Sequence, residues 1–356
     1  MKFDFCIGNP PYHEESSGNK ISDKQIYNYF MDAAYLISDK AMLITPARFL
    51  FDNGNTPKQW NQKMLNDEHL KVVYFEQDSS KIFPPPTSIK GGVAVTYRDK
   101  TQNFGAIVQY TPYLELNQIF QKVKSFNESS LITIIHNQNK FNLLTLYEDF
   151  PHLKNIISSD GKEKRLTSGC LGYDCFHDKK EDDDIEIIGV KNNKRLRRFI
   201  NKKYLETDHE NLNNYKVILP ANNGSGAIGE VLSTPLIGEP LIGFTQTFIS
   251  VGSFSNKIEA ENAMKYIKTK FARVMLGILK ITQNGKKEVW RCVPIQDFTK
   301  NSDIDWSKSI SEIDKQLYKK YNLSQDEIDF IESKVKSMDN AVIKENEEAG
   351  QNDKET

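Results

Sequence analysis

The hydrophobic pattern divides the chain into two textures. Phe3-Asp4-Phe5-Cys6-Ile7-Gly8 is an apolar run closed by glycine, the pattern of a buried strand, and Asn9-Pro10-Pro11-Tyr12 follows as a stiff turn. Ile26, Phe30, Ala33, Ala34 and Ile37 recur at helical spacing over Lys24 to Ile37, and Ala41 to Thr45 predicts a second strand. A helix is expected over Pro57 to Leu70, with strands at Lys71 to Glu76, Gly91 to Tyr97 and Ala106 to Tyr110. A further helix covers Leu114 to Phe126. Alternating strands and helices predict an α/β fold with a partial doubly wound, Rossmann-like sheet.

Beyond Arg165 the runs are short, β-like and broken by glycine, asparagine and proline, at Glu186–Val190, Tyr215–Leu219 and Thr247–Val251. They predict a separate, irregular mixed α+β domain. Glu259 to Lys280 carries Ala263, Ile267, Phe271, Val274 and Ile278 along one side of a single long helix, and Lys265, Lys268, Lys270 and Arg273 along the other. Trp290 to Phe298 reads as extended, and Ile310 to Tyr321 and Gln325 to Val335 as terminal helices before a charged tail. The expected organisation is a sheet domain over 1–125, a connector over 126–150, an irregular domain over 151–300, a helical region over 301–338 and a disordered tail over 339–356.

Composition narrows the class. The chain has 356 residues, 38% of them apolar, which is enough for a sizeable core in two domains. No apolar run reaches the ~18–20 residues of a membrane span and no signal-peptide pattern opens the chain, so the expected compartment is the cytoplasm and no membrane contact is expected. A net charge of -1 excludes wholesale coating of nucleic acid, so any contact with it must be local. Of the four cysteines, Cys170 and Cys175 lie near His177, but no fourth ligand closes a tetrahedral metal site, and no metal is expected.

The Asn9-Pro10-Pro11-Tyr12 turn carries the chemistry. In open α/β sheets ligands bind at the carboxyl ends of strands, where this turn sits. Its two prolines fix the direction of the Asn9 side-chain oxygen and the Pro10 carbonyl, two acceptors beside the flat face of Tyr12. Those groups suit an exocyclic amine on a planar base. Four fixed residues arise by chance in a chain of this length about once in 500.

At these residues the chain resembles the adenine-N6 DNA methyltransferases of bacterial restriction-modification systems, whose motif is Asn-Pro-Pro-Tyr or Phe after an apolar strand. Leu43 to Leu50, Val72 to Glu76 and Lys81 to Pro84 resemble the segments that follow in that family, and the chain beyond about residue 150 resembles its target-recognition region. The resemblance implies transfer of a methyl group from S-adenosylmethionine to an adenine flipped out of double-stranded DNA. It assigns catalysis to Asn9, Pro10, Pro11 and Tyr12, with adenine stacked on Tyr12 and, on its second face, on Phe83.

The resemblance also implies a first strand and a glycine-rich cofactor loop before the motif, whereas eight residues precede Asn9. The expectation is a subunit or fragment completed by a second chain that carries the amino-terminal half, with a restriction subunit as a further candidate partner. Gly224-Ser225-Gly226-Ala227-Ile228-Gly229 matches a nucleotide-loop fingerprint, but Glu230 to Pro235 continues as a strand rather than opening a helix, so no cofactor residue is assigned. A glycine loop that lets backbone approach DNA or a partner is the preferred reading.

Lys191, Lys194, Arg195, Arg197, Arg198, Lys202 and Lys203 form a basic run without an acid among them. It is the candidate contact to the DNA backbone, set against a solvated helix face balanced by Glu181 to Asp184. Two other functions use the same catalytic turn or the same DNA contacts: a methyltransferase acting on RNA or on protein glutamine, and a non-catalytic DNA-recognition subunit.

Overall fold

The structure, a computed structural model, describes residues 3–14, 24–52, 55–85, 89–157, 164–191, 194–280 and 282–338. The expected tail over 339–356 lies outside them, as do Glu15 to Ser22 of the loop after the motif and Pro86 of the proline run. The chain forms two compact units, 1–117 and 118–356, with the division falling inside one helix.

Unit 1 holds strands β1 (Phe3–Gly8), β2 (His13–Glu14) and β3 (Lys24–Gln25), helix α1 (Tyr27–Ile37), strand β4 (Ser38–Pro46), helix α2 (Lys58–Leu65) and strands β5 (Leu70–Glu76) and β6 (Val93–Asp99). The main sheet runs β1-β4-β6-β5. β1 and β4 are parallel across the α1 crossover, and the other two pairings are antiparallel. Helices α1 and α2 cover one face, where Met31, Ala34, Trp60, Met64 and Leu65 pack on Ala41, Leu43, Leu70 and Ala94. Tyr27, Phe49 and Trp60 meet ring to ring at 5.4–6.3 Å and plug this core.

The strand register puts Phe3, Phe5, Ile7, Met42, Ile44, Val95, Tyr97 and Tyr74 on the other face. There Phe3 and Phe5 are about half exposed and Ile7 is 74% exposed, while Met42, Ile44, Val95 and Tyr97 are only partly buried. β1 is an edge strand. An apolar strand of this kind reads as buried, and as an exposed edge in a chain without the partner strand that the resemblance places beside it; among the described residues β1 is covered on one side and along one edge only. Ala106 to Tyr110, expected as a strand, is irregular. Its backbone is held from Val108 N–H to Leu65 O, and Val108 takes a positive φ of 57° that breaks extended pairing.

Helix α3 (Leu114–Ser125) spans the division. Unit 2 continues with β7 (Ile135–His136), α4 (Leu143–Asp149), β8 (Asp184–Lys191), β9 (Lys194–Asn201), β10 (Tyr215–Pro220), β11 (Leu236–Gly238), β12 (Ile242–Phe244), β13 (Phe248–Phe254) and helices α5 (Lys257–Lys268), α6 (Lys270–Gly277), α7 (Ile310–Lys320) and α8 (Gln325–Lys334). One sheet runs β11-β10-β13-β7 and a second β12-β8-β9. Ile188, Ile218, Phe244 and Phe248 join them. The segment expected as a connector buries Leu131, Ile135, Phe141 and Leu146.

The single helix expected over Glu259 to Lys280 is two. Thr269 ends α5 and caps α6, its hydroxyl accepting from Ala272 N–H, and the carboxylate of Asp314 accepts from Lys270 and Phe271 N–H at 3.0 and 2.9 Å. The expected basic face closes with that break. Arg273 is 2% exposed and bonded to backbone carbonyls of Gly229 and Lys336, and Lys268 is buried too. Trp290 lies in a 3-10 turn over Lys287–Cys292 that precedes the extended stretch, and Ser309 and Ser324 form capping boxes at the two terminal helices.

Candidate active site

β1 ends at Gly8 beside Leu43 of β4, which runs on to Pro46, so Asn9 leaves the sheet at the carboxyl end of β1. Tyr12 is anchored from both directions. Its carbonyl accepts from Ile26 N–H at 3.1 Å, β2 and β3 pair immediately after it, and its ring packs on the core under α1. The Tyr12 hydroxyl donates to Asn9 Oδ1 at 2.6 Å. Burial pushes the Tyr12 phenol up to about 12 despite that bond to Asn9, so it stays a donor across the working range. The turn therefore offers an aimed amide oxygen, with a neutral donor already seated on it, beside a half-buried aromatic ring.

Phe83 reaches the same place. Its ring centroid is 6.2 Å from that of Tyr12, with the planes at 70°. The two rings meet edge to face, not as parallel walls, so holding a base between them requires one ring to turn.

The match to known proteins covers the region just described. Residues 1–83 match the profile of the family described as Eco57I restriction-modification methylase. The match takes in β1, the Asn9 to Tyr12 turn, β4, β5 and Phe83, and supports DNA methylation within a restriction-modification system as the function class. No curated protein matches the chain. No helix among the described residues is long and apolar enough to cross a membrane.

The other candidate residues lie in unit 2. The basic run is strand β9 with its flanks, antiparallel to β8, not a helix face. Most of its charges are matched: Arg197 pairs with Glu186, Arg198 with Asp178 at 3.0 Å, Lys202 with Asp183, and Lys203 with Asp149 at 2.7 Å, while Arg195 donates to Thr234 O. Lys191 and Lys194, at the hairpin tip, are exposed.

The glycine fingerprint is filled from within. Glu230 folds back so that its carboxylate accepts from Ser225 and Gly226 N–H, at 2.8 and 3.2 Å, and pairs with the buried Lys280. A side chain at Gly224, whose φ is +58°, would strike that carboxylate. Burial alone would raise the Glu230 pKa, but Lys280 and the two amides outweigh it and hold the group ionised. An anion nest is present and its anion is the chain's own, so this loop fits neither a nucleotide phosphate nor the approach of DNA backbone. Cys170 and Cys175 are buried in the unit 2 core with their thiol pKa values pushed up by burial, and no group able to hold a metal occurs among the described residues.

Proposed function

We propose that the chain methylates the N6 amine of an adenine rotated out of DNA, with Asn9 to Tyr12 as the amine-binding turn. The observation that carries this reading is the bond from Tyr12 to Asn9 Oδ1. It supports an acceptor aimed before substrate arrives, in the position where an amine N–H is needed.

The amine of adenine is a poor nucleophile because its lone pair is delocalised into the ring. Accepting one N–H at Asn9 Oδ1 and the other at the Pro10 carbonyl favours a tetrahedral nitrogen whose lone pair is localised and directed at an electrophile. To enter, the amine displaces the Tyr12 hydroxyl from Asn9, and the Tyr12 ring takes the face of the base. Stacking of that kind is worth ~1–3 kcal/mol, against the few kcal/mol that extrusion from the duplex costs. S-adenosylmethionine, when bound, supplies the electrophilic methyl group. The one glycine loop that resembles a cofactor cradle is occupied by Glu230, so no described residue is assigned to that molecule. The open edge of β1 supports a second polypeptide pairing there and bringing the cofactor site with it.

Asn9→Ala tests the reading. Methylation of adenine, read as protection of DNA from methylation-sensitive digestion in cells that also express the neighbouring genes, is expected to fall at least 100-fold, while DNA affinity stays within about twofold. Activity within about threefold of wild type rejects the assignment of Asn9.

A further inference from the structure

A cavity of about 290 Å³ opens in unit 2 between segments far apart in sequence. One wall is the stretch just after β7, with Asn137, Gln138 and Lys140. A second wall is Asp208, His209 and Glu210, and Lys287 adds to the lining. A water takes about 30 Å³ of liquid volume, so the space suits a small organic molecule and not one ordered solvent.

The walls are held independently of any occupant. Asn139, 1% exposed, clamps the first wall to β12: its N–H donates to Phe244 O and its Oδ1 accepts from Phe244 N–H at 2.9 Å. The carbonyl of Lys140 accepts from Glu206 N–H, and His136 Nδ1 lies 2.7 Å from Glu210 Oε2. His209 Nε2 donates to Asn137 O at 2.8 Å, which joins the two walls and leaves its Nδ1 buried without a hydrogen bond in the protein.

What remains for a ligand is a mixed set. Glu206 is matched by Lys140 and Lys164, and Glu210 by His136. Among the described residues the side chains of Asn137, Gln138 and Asp208 have no hydrogen-bond partner, and Lys287 has no carboxylate one. Two amides can each give and take a hydrogen bond, a carboxylate can take one from a hydroxyl or exocyclic amine, and a lysine offers a point charge to an anion. A run of phosphates would be repelled by Asp208 and Glu210, and an apolar molecule would strand every one of these groups. A molecule with a base edge, hydroxyl or amino groups and a single phosphate matches each of them.

We propose that this cavity binds one nucleotide, the amides of Asn137 and Gln138 addressing the base, Asp208 its amino or sugar hydroxyl group, and Lys287 the phosphate. The nucleotide is either one unit of a DNA strand turned out of its helix or a free mononucleotide. The inference does not rest on methyl transfer and would stand for a chain without that activity.

Two probes separate the sources: AMP, followed by calorimetric titration, and a duplex with one bulged 2-aminopurine, followed by its fluorescence. Each is added to the full chain, to Asn137→Ala with Gln138→Ala, to Lys287→Glu and to Asn9→Ala. One probe is expected to bind saturably in the cavity, at least tenfold more weakly in both cavity variants, while Asn9→Ala reports separately on any binding at the Asn9 to Tyr12 turn. Binding of AMP identifies a free nucleotide as the occupant, and binding of the bulged duplex alone identifies a DNA unit. Failure of both probes to saturate, or equal binding by the cavity variants, overturns the proposal. The replaced side chains are exposed or half-buried, and an unchanged melting temperature shows that each variant is folded.

Discussion

Tyr12 does two things that substitution can separate. Its hydroxyl holds Asn9 at 2.6 Å, and its ring borders the site against Phe83. Tyr12→Phe removes the hydroxyl that the amine must displace and keeps the ring, so methylation is expected to stay within about fivefold of wild type, with substrate binding as tight or tighter. Tyr12→Ala removes the stacking surface and is expected to cost ~10–100-fold, with partial recovery on an adenine opposite a mismatch, which costs less to extrude. Steady-state methylation of paired and mispaired duplexes checks both. Equal losses for the two variants would show that the hydroxyl, not the ring, is what matters.

Elements were legible in the sequence wherever local chemistry decides them. The Pro-Pro turn stiffens the backbone by itself, so β1 and its exit were visible, and helical spacing over Ile310 to Tyr321 and Gln325 to Val335 marked two terminal helices that the structure contains. What stayed hidden depends on partners distant in sequence. Nothing within residues 191–203 shows that Asp149, Asp178, Asp183 and Glu186 converge on β9 and match its charges. The cavity beside His136 draws on three separate segments and has no spacing signature at all. The Gly224 to Gly229 loop was readable as a failed fingerprint because no helix follows, yet its true occupant, Glu230, stands immediately after the last glycine.

That loop also makes a stability prediction. Lys280 is 3% and Glu230 14% exposed at their side chains, so Glu230→Ala strands a buried charge and two backbone amides. A loss of about 3 kcal/mol is expected in denaturant unfolding of unit 2, and Lys280→Met in the same chain should restore most of it. An additive double variant would mean that the two groups do not act as a pair.

At the scale of the molecule, one buried cation sets a pH dependence. Lys216 on β10 is fully buried, with Nζ 2.9 Å from Ile242 O and no ion pair to a carboxylate among the described residues, and burial lowers its pKa to about 7. The unfolded chain holds that proton up to about pH 10.4, so between about 7 and 10.4 the unfolded state binds more protons and stability rises with pH. The contribution is complete above the unfolded value and is lost as pH falls through about 7. Urea unfolding at pH 7 and pH 9.5 is expected to show the gain, and Lys216→Met should abolish it while raising stability at pH 7 by a few kcal/mol. A wild-type curve that is flat over this range would mean that Lys216 stays charged in the fold.

The uncovered side of unit 1 matters before the protein is ever purified. A nascent chain that presents Phe3, Phe5 and Ile7 on an unpaired edge displays what chaperones and proteases survey, and its lifetime is set by how soon something else claims that edge. If a second polypeptide covers that edge, as proposed, abundance follows its supply and not transcription of this gene. Expressed alone from a strong promoter, the chain is expected to collect in the insoluble fraction or to be degraded within minutes, and Ile7→Lys, which puts a charge on the most exposed of the three, should lengthen its half-life in a pulse-chase experiment.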